Sequence, residues 1–402
     1  MPSQQKMSFD RNSVYDAEVI KISKKGDNKM SKTIICCTSK QTLPNFLVIK
    51  EFFEQGDTVC FITTDAFPDT DSLQLAMTVN GIMQTGKIIK VPLKNRLEES
   101  FSGMMSEFEK SFSDEREYIV NLTGGTKFES LALFSFFQKK QNARMIYVPF
   151  PNNYYIELKN NRQINFNKKA DIKEFFASYG IDFEEDAQQF CMSDNGLYAE
   201  SFFGEYLKLS RSELSLLSDL RKTVQSKRKP DYLPYENIEK SRLKDFLQKI
   251  NFPVDFSSMG KEKREMYIKF LCGIWFEEYI KVEIAKAFAE TKISSGTIKA
   301  EGNQKDNELD CVFLRNNKLV IIECKTFLQS GWIQNAVDKS SGIGEKLKAL
   351  SRKRYFFYIN KEENPNIDST INDAKNQGII FYHISGIQQF KEAISDILEY
   401  TK

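Results

Sequence analysis

The residues that could do chemistry lie close together in the last third of the chain. Asn307-Glu308-Leu309-Asp310 opens one apolar run. Leu319-Val320-Ile321-Ile322-Glu323-Cys324-Lys325 forms the next, and Arg315-Asn316-Asn317-Lys318 lies between them. Asn tolerates the positive φ of a type I′ turn, so Asn316-Asn317 predicts a two-residue hairpin. Counting outwards from Arg315 opposite Lys318 sets Asp310 directly opposite Glu323 and Glu308 opposite Lys325. Facing carboxylates on paired strands stand roughly 5 Å apart and repel. Among apolar neighbours that arrangement calls for a neutralising cation, and a divalent ion with oxygen ligands, Mg²⁺ or Mn²⁺, suits it. Alternation puts Glu323 and Lys325 on one face. A metal beside an ammonium is the equipment for hydrolysing a phosphodiester.

Composition narrows the alternatives. Among 402 residues there is a single histidine, His383, which excludes Ser-His-Asp triads, Cys/His zinc sites and His-based ribonuclease chemistry. Lys and Arg number 57 against 55 Asp and Glu, so the chain is not polybasic as a whole. The seven Cys form no C-x-x-C pair and mostly sit in apolar runs, as expected of reduced thiols in a cytoplasmic protein. No apolar run is long enough to span a bilayer, so no membrane partner is expected. The match of Gly81–Lys87 to G-x-x-x-x-G-K fails as a P-loop, because Ile88 replaces the metal-binding hydroxyl and the run precedes a strand.

The elements that must position these residues divide the chain into four parts. Residues 1–30 form a polar extension. Residues 31–160 alternate strands (Thr33–Thr38, Val59–Thr64, Lys87–Leu93, Tyr118–Leu122, Arg144–Phe150) with helices (Leu43–Glu54, Ser72–Met83, Leu97–Phe112, Phe128–Gln138). That alternation predicts a Rossmann-like α/β domain, with ligands at the C-terminal ends of its strands. Residues 161–262 read as a connector, with the acid-free basic stretch Arg221–Lys229 read as a solvated face. Residues 263–402 predict a second α/β domain: a helix over 266–290, the hairpin, a helix over Glu345–Lys353, a strand over Arg354–Ile359, a helix near Ile371–Asn376 and a strand over Ile379–Ile384. Lys346 reads as a surface lysine, and His383 as structural.

Asp310 followed by Glu323-x-Lys325 across a hairpin resembles the PD-(D/E)xK restriction-endonuclease-like nucleases. Gly273-Ile274-Trp275-Phe276-Glu277-Glu278 resembles their preceding helix, which contributes a Glu. Helical periodicity favours Glu278, which lies nearer the centre of the face carrying Ile274, Trp275 and Val282. The resemblance favours Glu277. It implies a catalytic set of Asp310, Glu323, Lys325 and Glu277, with Glu278 and Glu308 nearby. It further implies metal ligation by Asp310, Glu323, Glu277 and the backbone carbonyl of Cys324.

Two loops of the first domain end strands. Ser39, Gln41, Thr42 and Asn45 follow the first strand, and Thr123-Gly124-Gly125-Thr126-Lys127 follow the fourth. Paired glycines let backbone approach a ligand, and a new helix N-terminus offers N–H groups to an anion. Together with the downstream motifs these loops resemble the CARF domain of CRISPR ancillary proteins. The resemblance implies a homodimer that binds a cyclic oligoadenylate, cyclic tetraadenylate foremost, on these nine residues. Binding would activate cleavage of single-stranded DNA or RNA in type III CRISPR defence. A CARF regulator that binds nucleic acid without catalysis is the alternative, and the intact Asp310/Glu323/Lys325 set opposes it.

Overall fold

The computed structural model describes residues 31–112, 115–186, 197–210, 213–215, 217–218, 243–249, 251–252, 255, 258, 260–299, 306–328, 331, 333–335, 353–361 and 367–402. The polar extension, the basic stretch Arg221–Lys229, Lys346 and most of the helix expected at Glu345–Lys353 lie outside them.

The first sheet has seven strands in the order β3-β2-β1-β4-β5-β6-β7. They are β1 (Thr33–Cys37), β2 (Thr58–Thr64), β3 (Lys87–Leu93), β4 (Tyr118–Asn121), β5 (Ala143–Tyr147), β6 (Tyr154–Glu157) and β7 (Arg162–Asn165). The first five pair in parallel. The central strands β1, β2 and β4 are buried on both sides: Ile34 and Cys36 of β1 pack with α1 (Leu43–Phe52), α2 (Asp71–Val79) and α5 (Ile172–Ser178), while Ile35 and Cys37 pack with α3 (Phe101–Ser111) and α4 (Lys127–Phe137). This is the α/β layering that near-continuous apolar strands require. The antiparallel hairpin β6–β7, which extends the sheet past residue 160, has short, half-polar strands that gave no strong signal in the sequence.

The second sheet has six strands in the order β13-β12-β11-β10-β9-β8. They are β8 (Phe183–Glu185), β9 (Ile293–Ile298), β10 (Asn307–Arg315), β11 (Lys318–Leu328), β12 (Arg354–Lys361) and β13 (Ile379–His383). Its edge strand β8 comes from the stretch read as a connector. The described helices around it are α6 (Leu197–Tyr206), α7 (Leu243–Lys249), α8 (Lys261–Lys269), α9 (Trp275–Ala287), α10 (Ile367–Asn376) and α11 (Ile387–Thr401). The single long helix expected over 266–290 is broken: α8 passes through a wide π turn at Phe270–Ile274 into α9. Gly273 there has φ 151°, which only glycine adopts without strain.

One face of the hairpin packs against α8, α9 and α11 through Cys311, Phe313, Val320 and Ile322, with Trp275 and Phe276 at the centre. The other face, through Val312, Leu319 and Ile321, joins the core of the first domain beside Tyr155, Phe166, Ile172, Phe175 and Phe176. The two sheets therefore share an apolar cluster. No described helix is long and apolar enough to cross a membrane.

Candidate active site and ligand loops

The hairpin register is the one counted from its turn: Arg315↔Lys318, Leu314↔Leu319, Phe313↔Val320, Val312↔Ile321 and Cys311↔Ile322. Asn316 and Asn317 both have positive φ, as a type I′ turn demands. The ladder ends one step before Asp310. There β10 bulges against β9: Leu309 pairs with Gly296 and Val312 with Ser294, so Asp310 and Cys311 oppose one residue. Bulges re-aim side chains, and this one turns Asp310 toward β11. Asp310 Oδ2 accepts the Cys324 N–H at 2.8 Å and the Lys325 Nζ at 2.7 Å, while Glu323 Oε2 lies 3.6 Å from the same ammonium. The pairing expected between Glu308 and Lys325 is not formed. Glu308 is exposed and stands opposite Thr297 of β9, and Lys325 is held by the two nearer carboxylates.

Of the two helix acids, Glu277 joins this group. Burial and the charge of Asp310 push its carboxyl well above the usual range, against the lowering effect of Lys325 and Lys281. Glu278, favoured by periodicity, instead bonds Lys281 at 2.8 Å. The wheel favours Glu278 because it is drawn around Ile274 and Val282, both half-buried; the face that α9 buries is Trp275, Phe276, Tyr279, Ile280 and Ile284, and Glu277 flanks it more closely. Burial alone would lower the Lys325 ammonium, but Asp310 and Glu323 raise it on balance, so it stays charged. Lys281, one turn beyond Glu277, also reaches Ser295 Oγ at 3.3 Å, opposite the bulge. It was missed in the sequence, although its i,i+4 spacing from Glu277 was there to read.

The donors suit a hard divalent cation in kind: carboxylate oxygens, with thiolate and imidazole excluded. Burial pushes the Cys311 thiol up to about 12 and Cys324 well above its ordinary value. His383 Nε2 is bonded to the Ile359 carbonyl. In spacing, among the described residues no group of three or more His, Cys, Asp or Glu is set to hold a metal as it stands. Lys325 fills the room beside Asp310. The six described cysteines are free.

In the first domain the strand order reverses between β1 and β4, and crevices at such switch points are where open α/β sheets bind ligands. Both predicted loops leave from those two strands. Gln41, Thr126 and Lys127 are exposed; Ser39, Thr42, Thr123 and Gly125 are half-buried. Asn45 is fully buried, donating to the Cys37 carbonyl (2.7 Å) and accepting from Asn121 (2.8 Å), so it braces the crevice and cannot face a ligand. Gly124 is buried too. A Cβ there would stand 2.4 Å from the Cys37 carbonyl, and one at Gly125 (φ 77°) would stand 2.8 Å from the Cys37 Cβ. The glycines thus pack one loop onto the other. Thr126 caps α4 in a capping box with buried Glu129, a Thr-x-x-Glu signature that was legible but unread.

A family model described as the Card1 CARF domain matches residues 33–175, and one described as the Card1-like endonuclease domain matches residues 264–399. No curated protein matches the chain. Can2 from Sulfobacillus thermosulfidooxidans, solved in complex with cyclic tetra-adenylate, shares the fold at TM-score 0.63 and 20% identity, over 92% of this chain and 99% of its own. The protein VC1899 from Vibrio cholerae does so at TM-score 0.68 and 17% identity, over 93% and 98%. A type III CRISPR defence DNA nuclease activated by cyclic oligoadenylate aligns at TM-score 0.50 and 16% identity, over 85% of this chain and 48% of its own. By its two domains, the chain belongs to the family that joins a Card1 CARF domain to a Card1-like endonuclease domain.

Proposed function

We propose that the chain is a divalent-metal-dependent nuclease of type III CRISPR defence, switched on by cyclic tetraadenylate and acting on single-stranded DNA or RNA as a homodimer. The observation that carries the reading is the convergence of Asp310, Glu323 and Lys325 with half-buried Glu277 on a hairpin whose opposite face is solid core. A structural ion pair has no use for a third carboxyl whose ionisation its neighbours disfavour, whereas a cation site does. The ring-shaped ligand fits the chemistry of the crevice: neutral hydroxyls and amides for ribose and adenine edges, with Lys127 and the α4 N-terminus for phosphate. That Can2 was solved with cyclic tetra-adenylate supports the ring size. A self-symmetric ligand suits two copies related by a two-fold axis.

Asp310, Glu323, the Cys324 carbonyl and Glu277 would hold Mn²⁺ or Mg²⁺. Bound there, the ion supplies a Lewis acid that polarises the phosphoryl oxygen and acidifies a water. Lys325 stays an ammonium, positions that water and stabilises charge growing on the phosphate. Asp310 fixes Lys325 in place through its 2.7 Å contact. The water's oxygen would form the new bond to phosphorus as the bond to the leaving oxygen breaks; the proton the water gives up passes to solvent, and the leaving oxygen takes one from solvent.

The test is cleavage of labelled single-stranded DNA and RNA with Mn²⁺, with and without cyclic tetraadenylate, for the wild type and Glu323→Ala. Cutting that requires activator and is lost in the variant is expected. Cutting independent of activator would end the gating, and tight activator binding with no cutting would favour a non-catalytic regulator.

A further inference from the structure

We propose that Asn317, at the tip of the β10–β11 turn, is the positioning residue that couples the ligand crevice to the nuclease site. The inference rests on the activation proposed above and names the contact that transmits it.

The route begins at Thr123. Its hydroxyl donates to Asn121 Oδ1 (2.7 Å) and accepts the Val148 N–H (2.7 Å), so the segment following β5 hangs from the ligand loop. Phe150 in that segment is 73% exposed. Two residues on, the Asn152 carbonyl accepts a hydrogen bond from Asn317 Nδ2 at 2.7 Å, with Asn153 Oδ1 at 3.4 Å as a weaker second acceptor. This joins a loop of the first domain directly to the turn of the hairpin that carries Asp310, Glu323 and Lys325 at its other end.

Between turn and site the hairpin has five consecutive paired steps and is buried on both faces. Such a ladder moves as a body, so displacement of the turn reaches the bulge at Asp310 with little loss. Asn316 is the internal comparison. It has nearly the same backbone conformation (φ 51° against 54°), and its amide also donates to a carbonyl, that of Thr401 at 2.8 Å. That carbonyl belongs to α11, within the nuclease domain. The two asparagines make equivalent contacts in opposite directions, and only Asn317 touches the ligand-binding domain.

The experiment compares the full-length wild type with Asn317→Asp and Asn316→Asp. Each change keeps the side-chain shape and the tolerance for positive φ but replaces the amide donor with an acceptor. The readouts are the ratio of cleavage rates with and without cyclic tetraadenylate, activator affinity without nucleic acid, and melting temperature. The expected result is an activation ratio lowered about fivefold or more in Asn317→Asp, with activator affinity within about twofold of wild type. Asn316→Asp should lose similar stability yet keep the wild-type ratio. Asn317→Gly, which suits the turn and lacks the donor, should repeat the loss and serves if the aspartate variant does not fold. A wild-type ratio in both Asn317 variants, or an equal loss in Asn316→Asp, would overturn the coupling while leaving the activation intact. An unactivated wild type would sink the activation reading, and the coupling with it.

Discussion

Lys325 is the residue on which the acidic group depends. It is the cation in contact with Asp310 and near Glu323, and it lowers the carboxyl of Glu277. Lys325→Met leaves three neighbouring carboxyls with Lys281 as the compensating ammonium beside Glu277. Side chains here are partly solvated, so the loss is discounted from a fully buried pair to about 1–3 kcal/mol of stability. A divalent cation replaces the missing charge, so Mn²⁺ should raise the melting temperature of Lys325→Met more than that of the wild type. Cleavage should fall by about 100-fold or more even with Mn²⁺, because the positioned ammonium is gone. Equal Mn²⁺ shifts in both proteins would mean that the carboxylates do not form a cation site. At the crevice, Gly124→Ala drives a Cβ to 2.4 Å from the Cys37 carbonyl, where backbone cannot yield cheaply. It should weaken cyclic tetraadenylate binding by about tenfold or more while metal-dependent thermal shifts persist, as titration calorimetry and melts would show.

At the scale of elements, the two-residue turn and the bulge settle where the acids go, and they differ in how well a sequence reveals them. Asn316-Asn317 announces positive φ, and the register follows by counting. The bulge leaves no such mark, because Asp310 and Cys311 alternate like any strand pair; only the β9 partner shows the extra residue. Hence Asp310 could be placed beside Glu323 in advance, while the Glu308–Lys325 pairing failed. The resemblance favoured Glu277 and periodicity Glu278; the wheel erred because it was drawn around Ile274 and Val282, both half-buried, whereas α9 buries Trp275, Phe276, Tyr279, Ile280 and Ile284. Strand β8 was unreadable because three residues carry no periodicity, yet it is held by chemistry. Glu185 accepts from Ser294 at 2.5 Å and lies 2.7 Å from Lys292. Burial alone pushes the Glu185 carboxyl up, but Lys292 and Ser294 hold it below its ordinary 4.5 on balance. A depressed folded value gives stability that is present above 4.5 and lost as pH falls through the folded value. Melts between about pH 6 and about pH 3 should therefore show a shallower acid-side decline for Glu185→Gln than for wild type. Parallel declines would show that the pair contributes nothing.

For the whole molecule, the decisive feature is that the face of the hairpin bearing Val312, Leu319 and Ile321 completes the core of the first domain. The sequence placed the apolar residues correctly but assigned them to a self-contained nuclease domain, since nothing local says which neighbour will cover a face. Sharing that core ties the stabilities of the two sheets together. Ile321 is 3% exposed, and Ile321→Ala should cost about 2–4 kcal/mol, the range for a buried methyl-bearing side chain whose cavity does not collapse. Because its contacts span both domains, the loss should lower a single calorimetric transition rather than split the trace. Cyclic tetraadenylate, bound to the native state alone, should raise that same transition in wild type and variant by mass action. The tryptophans offer a second probe: both of them, Trp275 in the nuclease core and Trp332, fall within the residues matched by the endonuclease model, so tryptophan fluorescence reports on the domain that does not hold the activator. Its melting midpoint should rise with the activator as far as the calorimetric one does. Two transitions, with the activator moving one and the tryptophan signal following the other, would mean that the domains fold independently and that signalling between them cannot run through a shared core.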